Sequence, residues 1–291
     1  MPAFDLPVRP SGRPPVGTLY VVATPLGNLE DLTARAARVL REVPVVAAED
    51  TRRARKLLSH LDAHPRLVSY HAHSDEGRAH ALVERLLNGE DVALVSDAGT
   101  PAVSDPGALL VHAVREAGIS VVPVAGPSAV AAAVSASGIA GDRFIFLGFL
   151  PRKGPERARL LRQAATSEWT VVFYEAPHRL RELLTDLAGA AGDGRRAMVA
   201  RELTKVHEEL RSGALSELIA HWTDTEPRGE CTVVVEGTGP APEVAADPDL
   251  ARKLARDLLE AGRSRKEIAR DLAERTGMSR NEAYRLVMEL A

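Results

Sequence analysis

Short apolar runs alternate with longer amphipathic segments through the first part of the chain. The runs at 19–23, 45–49, 67–70, 92–96 and 119–124 all contain valine and have the length of buried β-strands. Helical spacing of the apolar residues between them predicts helices near 31–42, 51–61, 75–88 and 107–117. This alternation is typical of an α/β domain built on a parallel sheet.

A second series of the same kind begins with the apolar run RFIFLGFL at 143–150. Further strands are predicted near 170–174, 196–200 and 231–236. The helices predicted between these strands lie near 155–165, 177–189 and 214–222. The fold class we expect is therefore α/β, with two α/β domains.

Three other segments complete the organisation. The uncharged run 121–141 is rich in Ala, Ser and Gly and contains Pro123 and Pro127, so it predicts a strand, a turn and a buried helix, and we expect no membrane span. The opening residues lack the apolar core of a signal peptide, which favours a cytoplasmic protein. We expect a flexible leader at 1–16, two α/β domains at 17–126 and 127–240, a linker at 241–249 and a helical tail at 250–291.

The tail predicts three short helices that resemble a helix-turn-helix. SRKE at 264–267 and SRNE at 279–282 are both capping boxes, and Gly277 lies between them, where it can end a helix. The second of these two helices would present Arg280 and Arg285.

Charge is distributed unevenly along the 291 residues. Residues 251–291 contain ten Lys/Arg and seven Asp/Glu, a net charge of +3. The rest of the chain contains 27 Lys/Arg and 33 Asp/Glu, a net charge of −6. A basic tail is a candidate contact for a polyanion such as RNA, although a solvated helical face has the same composition. The single cysteine excludes an internal disulfide and any cysteine-cluster metal site.

The loop SDAGTPAVSDPG at 96–107 follows an apolar strand and precedes a helix. Its prolines restrict the backbone and its glycines open it, while short polar side chains remain available for a small ligand. Pro106 is expected in the first helical turn, with Asp105 ahead of it as the cap. An ordinary strand-to-helix turn has the same composition.

Several common catalytic signatures are absent from the sequence. There is no GxGxxG after the first strand, no GxxxxGK[ST], no GxSxG and no HExxH. His71, His73 and His80 lack a nearby carboxylate or cysteine constellation, so we expect no metal site.

Six stretches resemble, in the same order, motifs of the ribosomal RNA small-subunit methyltransferase I family of the tetrapyrrole-methylase-like superfamily. They are TPLGNLEDLT (24–33), AAEDTRR (47–53), SDAGTPAVSDPG (96–107), AGPSA (125–129), FYEAPHRL (173–180) and RELTKVHEE (201–209). The resemblance implies S-adenosylmethionine held between two α/β domains, a helical C-terminal extension and a homodimer. It also implies methylation of the ribose 2′-hydroxyl of a cytidine in the decoding region of 16S rRNA, within the small ribosomal subunit.

The same resemblance implies which residues bind the methyl donor. A helix N-terminus is expected at Ser128, where free N–H groups can face the donor carboxylate. The implied donor-binding residues are Pro25, Leu26, Asp97, Ala98, Gly99, Val103, Ser104, Ser128, Ala129, Leu150, Tyr174, Leu203, Gly229 and Thr232.

Methyl transfer to a ribose hydroxyl needs in-line placement and a proton acceptor, and it requires no metal. The candidate acceptors in the motifs specific to this family are Glu49, Asp50, Glu175, His178, Lys205, His207 and Glu208. We favour Lys205, with a pKa lowered by burial, together with Glu49 to orient it; a structural ion pair is the alternative. The arginines expected to hold RNA phosphates are Arg52, Arg53, Arg179, Arg280 and Arg285.

Two other classes of function fit part of the sequence. A superfamily member that methylates a tetrapyrrole or another small acceptor would share the donor loops, but it would not need the other motifs or the basic tail. A nucleic-acid-binding protein without catalysis would not need a donor pocket.

Overall fold

The computed structural model describes residues 16–71, 76–225, 227–239, 248–260, 263–276, 278 and 280–290. Its first part is a parallel five-stranded sheet in the order β3-β2-β4-β1-β5. The strands are β1 (Leu19–Val22), β2 (Val45–Ala48), β3 (Arg66–Ser69), β4 (Val92–Val95) and β5 (Val121–Val124).

Helices cover both faces of this sheet. They are α1 (Ala34–Glu42), α2 (Thr51–His60), α3 (Glu76–Leu87) and α4 (Ala108–Glu116). One apolar cluster joins α1 and α2 to the sheet, and another joins α3 and α4 to the opposite face. The connections after β1 and β4 leave toward opposite edges of the sheet, so these neighbouring strands form a topological switch point, where ligands of such sheets bind.

The second part of the chain forms a mixed five-stranded sheet in the order β6-β7-β10-β8-β9. Its strands are β6 (Phe144–Phe149), β7 (Thr170–Glu175), β8 (Arg196–Arg201), β9 (Glu209–Ala214) and β10 (Cys231–Val235). Its helices are α5 (Ala129–Ala136), α6 (Pro155–Thr166), α7 (Leu180–Ala191) and α8 (Leu215–Asp224). Helices α6, α7 and α8 pack on one face of this sheet, whereas α5 packs on the other face.

Strand β9 was not predicted. It pairs antiparallel with β8 at the edge of the sheet, from Glu209 opposite Arg201 to Ala214 opposite Arg196. Its sequence ELRSGA carries no apolar run, because most of an edge strand faces solvent and little of its side-chain surface needs to be buried.

The predicted start of α4 is wrong. The helix begins at Ala108 with Gly107 as its N-cap residue, at φ +139°, and no side chain caps it. This φ favours glycine, and an added Cβ at Gly107 would also lie 2.8 Å from Leu94 Cδ2. Asp105 is therefore not a cap, and the Ser96 hydroxyl near its carboxyl group donates to Ala98 O over 3.3 Å.

The tail forms the three expected helices, α9 (Pro248–Glu260), α10 (Arg265–Thr276) and α11 (Arg280–Leu290). They share a small core of their own. The first capping box is confirmed: Ser264 N–H donates to Glu267 Oε2 over 3.1 Å, and Glu267 N–H donates to Ser264 Oγ over 3.4 Å. The described residues do not include Gly277, Ser279, the leader through residue 15 or the linker through residue 247. No helix among the described residues is long and apolar enough to cross a membrane.

Candidate active site

A cavity of about 320 Å³ lies at the carboxyl ends of β1 and β4, between the two sheets. Both halves of the chain contribute to its walls. The lining residues are Leu26, Asp97, Ala98, Gly99, Thr100, Val103, Asp105, Ser128, Ala129, Phe149, Tyr174, Glu175, Ala176, Pro177, Gly229, Glu230, Cys231 and Thr232.

The loop at 96–107 is fixed to the segment after β1 by two backbone hydrogen bonds. Thr24 N–H donates to Gly99 O over 2.8 Å, and Gly99 N–H donates to Thr24 O over 3.0 Å. The Thr24 hydroxyl also donates to Ser96 O over 3.3 Å. These contacts hold the two loops at the switch point together and leave Gly99 facing the cavity.

Gly99 adopts φ +77°, which favours glycine, and an added Cβ would lie 3.3 Å from Leu26 Cδ2. The next residue, Thr100, donates from its hydroxyl to Pro127 O over 3.2 Å. That bond joins the loop to the start of α5, where Ser128 is the N-cap residue. The N-terminus of α5 therefore borders the cavity and can interact with a negative group.

The middle of the loop is strained and lies against the second sheet. Ala102 and Ser104 have φ values of +65° and +60°, an uncommon conformation outside glycine. An added Cβ at Gly148 would lie 2.8 Å from Ser104 Oγ. Close packing between the two halves of the chain thus supports a backbone conformation that local sequence alone disfavours.

Carboxylates cluster along one side of the cavity. Asp97 accepts from Asp50 N–H over 3.1 Å, and its Oδ2 lies 3.5 Å from Arg53 Nε. Asp97 N–H points at Glu49 Oε2 over 3.4 Å. Burial raises the pKa of Glu49, although the hydrogen bond from Asp97 opposes that rise.

Among the carboxylates that line the cavity, Asp105 has the most strongly raised pKa. Burial is the main cause and the nearby charges of Glu49, Asp97 and Glu230 add to it. The Ser96 side chain opposes the rise, and the pKa of Asp105 is raised to about 6. At neutral pH the group is therefore ionised but basic enough to take up a proton readily.

The expectation that Lys205 has a lowered pKa is wrong. Burial lowers the pKa of Lys205, but hydrogen bonds from its ammonium group outweigh burial and leave the pKa raised. These bonds reach Glu202 Oε1 over 2.8 Å and Glu230 Oε2 over 3.1 Å. Lys205 is consequently a cation in an ion-pair network, and its carboxylate partners in that network do not include Glu49.

Aromatic side chains form the wall on the second sheet. Tyr174 packs edge-on against Phe146, with ring centroids 4.8 Å apart, and Phe149 lies 5.6 Å from Tyr174. Phe149 is 54% exposed and lines the cavity. The cavity thus offers flat apolar surface opposite its polar loops, which suits a ligand with an aromatic ring.

Comparison with known proteins identifies the family. Residues 18–219 match the tetrapyrrole (corrin/porphyrin) methylases. The chain is 46% identical over 275 residues to the ribosomal RNA small subunit methyltransferase I of Synechocystis sp., which covers 94% of this chain and 99% of that protein. It is 46% identical over 277 residues to the protein of the same name from Pseudomonas aeruginosa, with coverages of 94% and 97%.

The chain belongs to the tetrapyrrole methylase family, in its ribosomal RNA small subunit methyltransferase I group. The resemblance noted in the sequence and the expected fold class are thereby confirmed. A crystal structure of uroporphyrin-III C-methyltransferase from Thermus thermophilus, complexed with S-adenosyl homocysteine, has the same fold, with a TM-score of 0.56. The two chains are 22% identical, and the match covers 76% of this chain and 97% of that one.

Ten of the fourteen donor-binding residues expected for this tetrapyrrole methylase line the cavity. They are Leu26, Asp97, Ala98, Gly99, Val103, Ser128, Ala129, Tyr174, Gly229 and Thr232. The four that are not among the lining residues are Pro25, Ser104, Leu150 and Leu203. Leu150 is buried in the core of the second sheet, and Leu203 packs against the cluster around α5.

Nothing in the sequence favours Phe149 over Leu150 as a lining residue. The register between β6 and β7 shifts between Phe146 and Gly148, and such a bulge breaks the simple alternation of faces along a strand. For Asp105 the reason is different, since its expected role as a helix cap accounts for the residue without a ligand. The other unexpected lining residues are Thr100, Glu175, Ala176, Pro177, Glu230 and Cys231.

The five arginines expected to bind phosphate in this tetrapyrrole methylase differ in their surroundings. Arg52 is exposed but forms a pair of hydrogen bonds with Asp50, which hold the pKa of that carboxyl well below its usual range. Arg179 is turned inward, with Nε 3.4 Å from Glu175 Oε1 and an N–H donated to Leu150 O over 2.8 Å. Arg53 lies beside Asp97. Arg280 and Arg285 are exposed on α11.

Among the described residues, no group of three or more His, Cys, Asp or Glu side chains is arranged to hold a metal ion. His71 and His80 belong to this part of the chain, whereas His73 lies outside it.

Proposed function

We propose that this chain transfers a methyl group from S-adenosylmethionine to the ribose 2′-hydroxyl of a cytidine in the decoding region of 16S rRNA. The observation that carries the proposal is the extent of the similarity. The rRNA methyltransferase of Synechocystis sp. matches 94% of this chain, which includes much of the helical tail, whereas the tetrapyrrole methyltransferase structure matches 76%.

The residues of the cavity fit the donor chemically. A volume of about 320 Å³ lies within the usual range for small-molecule sites, about 300–1,000 Å³. The carboxylates of Asp97, Asp105 and Glu230 suit a ligand that carries a sulfonium and an ammonium group. The N-terminus of α5 suits a carboxylate, and Phe149 with Tyr174 suits a purine ring.

When bound, the donor supplies an electrophilic methyl group. The chain must then orient the ribose hydroxyl in line with that methyl group and accept its proton. Backbone hydrogen bonds join the loops that contain Gly99 and Thr24, so this wall of the cavity is held in place without a flexible side chain. A fixed wall helps to orient the ribose hydroxyl. No step of this chemistry requires a metal.

We propose a revised role for two residues that the sequence favoured as catalytic. Lys205 holds Glu202 and Glu230 in place as a cation, and Glu49 supports the loop by accepting from Asp97 N–H. Neither residue is among those that line the cavity. Both act, on this proposal, by positioning other groups.

We propose that exposed arginines contact the RNA. The tail, residues 250–291, supplies Arg280 and Arg285, and Arg52 and Arg53 lie on α2 beside the loop that carries Asp97. Because Arg179 is bound to Glu175, we propose that it stabilises the second domain, at 127–240, and does not hold a phosphate. The family resemblance leads us to propose a homodimer that acts in the cytoplasm.

The test is methyl transfer from labelled S-adenosylmethionine to three acceptors: free 16S rRNA, assembled small subunits and a tetrapyrrole. Nucleoside analysis of the labelled RNA should yield 2′-O-methylcytidine. Labelling of a base carbon or nitrogen would contradict the ribose assignment. Labelling of the tetrapyrrole alone would establish the runner-up function, a small-acceptor methyltransferase, and donor binding without transfer to any acceptor would contradict both.

A further inference from the structure

A groove of about 520 Å³ lies between α6 and α7, and we call it the α6–α7 groove. It has no lining residue in common with the cavity of the candidate active site. Four cations and two carboxylates line it, which gives a net charge of +2 in a chain whose formal net charge is −3. These charged residues are Arg152, Lys153, Arg157, Arg162, Glu182 and Asp186.

The two carboxylates of the groove are held by its buried arginine. Arg157 Nε donates to Asp186 Oδ2 over 2.8 Å, and Arg157 Nη2 lies 3.7 Å from Glu182 Oε1. The side chain of Arg157 is only 6% exposed. The carboxylates of the groove are therefore turned to an internal partner and oppose the approach of an outside anion less than two free carboxylates would.

The other three cations of the groove are exposed. For Arg152, Lys153 and Arg162, the described residues provide no carboxylate within 4.0 Å of the charged group. They lie on one groove, so their fields add at the same place on the surface. Such a surface fits a ligand with several negative charges.

The segment that carries two of these cations, residues 150–153, is fixed by buried arginines. Arg157 Nη1 donates to Pro151 O over 3.0 Å, and Arg179 Nη2 donates to Leu150 O over 2.8 Å. Two consecutive carbonyl groups are thus bound by side chains from two different segments. The backbone next to Arg152 and Lys153 is therefore held in place before any ligand binds.

Each of these two arginines is itself anchored by a carboxylate. Arg179 Nε lies 3.4 Å from Oε1 of Glu175, whose side chain is fully buried, and Arg157 is bound to Asp186. Charges withdrawn from water are costly unless they are paired, and here the pairs also fix an exposed basic segment. A segment that is already ordered loses less freedom when it binds, which favours affinity.

The basic segment also lies close to the candidate active site. Strands β6 and β7 are parallel, so the segments that follow them leave from the same edge of the sheet. Phe149, the last residue of β6, lines the cavity, and Arg152 and Lys153 follow it by three and four residues. This separation keeps their Cα atoms within about 15 Å of that of Phe149. A polynucleotide with one ribose in the cavity would have its neighbouring phosphates within reach of these cations.

We propose that the α6–α7 groove binds backbone phosphates of the rRNA acceptor through Arg152, Lys153 and Arg162. The inference rests on the function proposed above and adds a place where the acceptor is held outside the cavity. The arginines bind phosphate oxygens in a planar fork, and the lysine acts as a point charge. Contacts of this kind orient the strand and carry no base specificity.

The experiment compares wild type with Arg152→Ala/Lys153→Ala, both as the full chain, in binding to 16S rRNA at several salt concentrations. Both side chains are exposed, so the variant should fold normally. Loss of two phosphate contacts should lower RNA affinity on the order of tenfold at about 0.15 M salt and reduce the slope of log affinity against log salt by about two. Affinity for S-adenosylhomocysteine, measured by calorimetry, should be unchanged, because neither residue lines the cavity.

Further variants separate a site from a general effect of charge. Arg162→Ala, added to the double variant, should reduce the slope by about one more. Arg152→Lys keeps the charge and should leave the slope as in wild type. The matched control is Arg66→Ala/Arg115→Ala, which removes two exposed arginines at the start of β3 and in the last turn of α4. This control should change neither affinity nor slope.

Methylation gives a second measurement. In Arg152→Ala/Lys153→Ala, the RNA concentration for half-maximal single-turnover rate should rise on the order of tenfold, in step with the loss of affinity. The rate at saturating RNA should remain near that of wild type, since the groove holds the acceptor and does not touch the reacting atoms.

Different outcomes overturn different conclusions. Unchanged RNA affinity and slope in Arg152→Ala/Lys153→Ala, with a wild type that methylates rRNA, overturn the inference alone and leave the groove to another anion. An equal loss in Arg66→Ala/Arg115→Ala also overturns it, because charge anywhere on the surface would then suffice. A wild type that methylates only a tetrapyrrole overturns the proposed function, and the inference with it.

Discussion

The side chain of Lys205, which follows β8, lies against Gly27, which follows β1. A Cβ added at Gly27 would lie 2.2 Å from Lys205 Cγ and 3.0 Å from its Cε. The lysine stem thus crosses from the second half of the chain to the first, while its ammonium group binds Glu202 and Glu230. Glu230 borders the cavity. The packing of Lys205 between the two halves of the chain is therefore coupled to the charge on the cavity wall.

Lys205→Met should raise the pKa of Asp105. Without the ammonium group, the charge of Glu230 is no longer offset and raises the pKa of Asp105 further. Lys205→Arg keeps the cation and should leave that pKa near its wild-type value. An NMR titration of the aspartate side-chain carboxyl carbons provides the measurement, and a pKa of Asp105 that moves down in Lys205→Met would contradict the coupling.

Glu49→Gln should shift the pKa of Asp105 in the opposite direction. The charge of Glu49 raises the pKa of Asp105, so its removal lowers that pKa, which the same NMR titration measures. Donor affinity should hold, since Glu49 supports the loop and is not among the residues that line the cavity. A single-turnover methylation rate lowered on the order of a hundredfold at unchanged donor affinity would instead support the assignment of Glu49 to catalysis.

Gly99→Val should abolish donor binding in a protein that still folds. The added side chain enters the space between Leu26 and the cavity. Gly118→Val is the matched control, because Gly118 also has a positive φ, +70°, but nothing lies within 4 Å of its added Cβ. Both variants incur a backbone cost of about 1–2 kcal/mol. Calorimetry with S-adenosylhomocysteine distinguishes them, and normal affinity in folded Gly99→Val would remove this loop from the donor site.

Asp105→Asn should be more stable than wild type at pH 7.5. The folded-state pKa of Asp105 is raised from 3.8 to about 6, so folding disfavours its ionised form. Wild type is relieved of this cost below about pH 4 and bears it fully above pH 6, which means that the difference in melting temperature should shrink as the pH falls. Equal stability of the two proteins at pH 7.5 would indicate that Asp105 is not held in an unfavourable environment. Asp142→Asn serves as the control for loss of a negative charge, because Asp142 is exposed and lies away from this cavity.

The double variant Arg280→Ala/Arg285→Ala should weaken RNA binding and reduce its salt dependence. Each arginine that contacts a phosphate contributes about one to the slope of log affinity against log salt, so the slope should fall by about two. Donor affinity should not change. Arg115→Ala, on α4, removes a positive charge elsewhere and should leave the slope as it is. An unchanged slope in the double variant would mean that this face of α11 is only a solvated surface.

The order of most strands and helices follows from the amino-acid sequence alone. Buried strands such as β2 and β4 are short apolar runs, and α1 and α2 carry apolar residues at helical spacing, so local burial patterns are sufficient to predict them. The capping box at Ser264 was predictable for the same reason, because its partner Glu267 lies three residues away. Strand β9 could not be predicted, since an edge strand is recognised by its partner and not by its own composition.

The chemistry of the site depends on contacts between distant parts of the chain. The sequence favours Lys205 as a base because burial lowers the pKa of a lysine, but the two carboxylates that reverse the shift come from Glu202 and from Glu230 on a different loop. The sequence predicts Asp105 as a helix cap, whereas the cavity and the charges around it come from both halves of the chain. A pKa depends on every charge and on the burial within several ångströms, whatever the separation in sequence, so it is set by the folded structure and not by the local sequence.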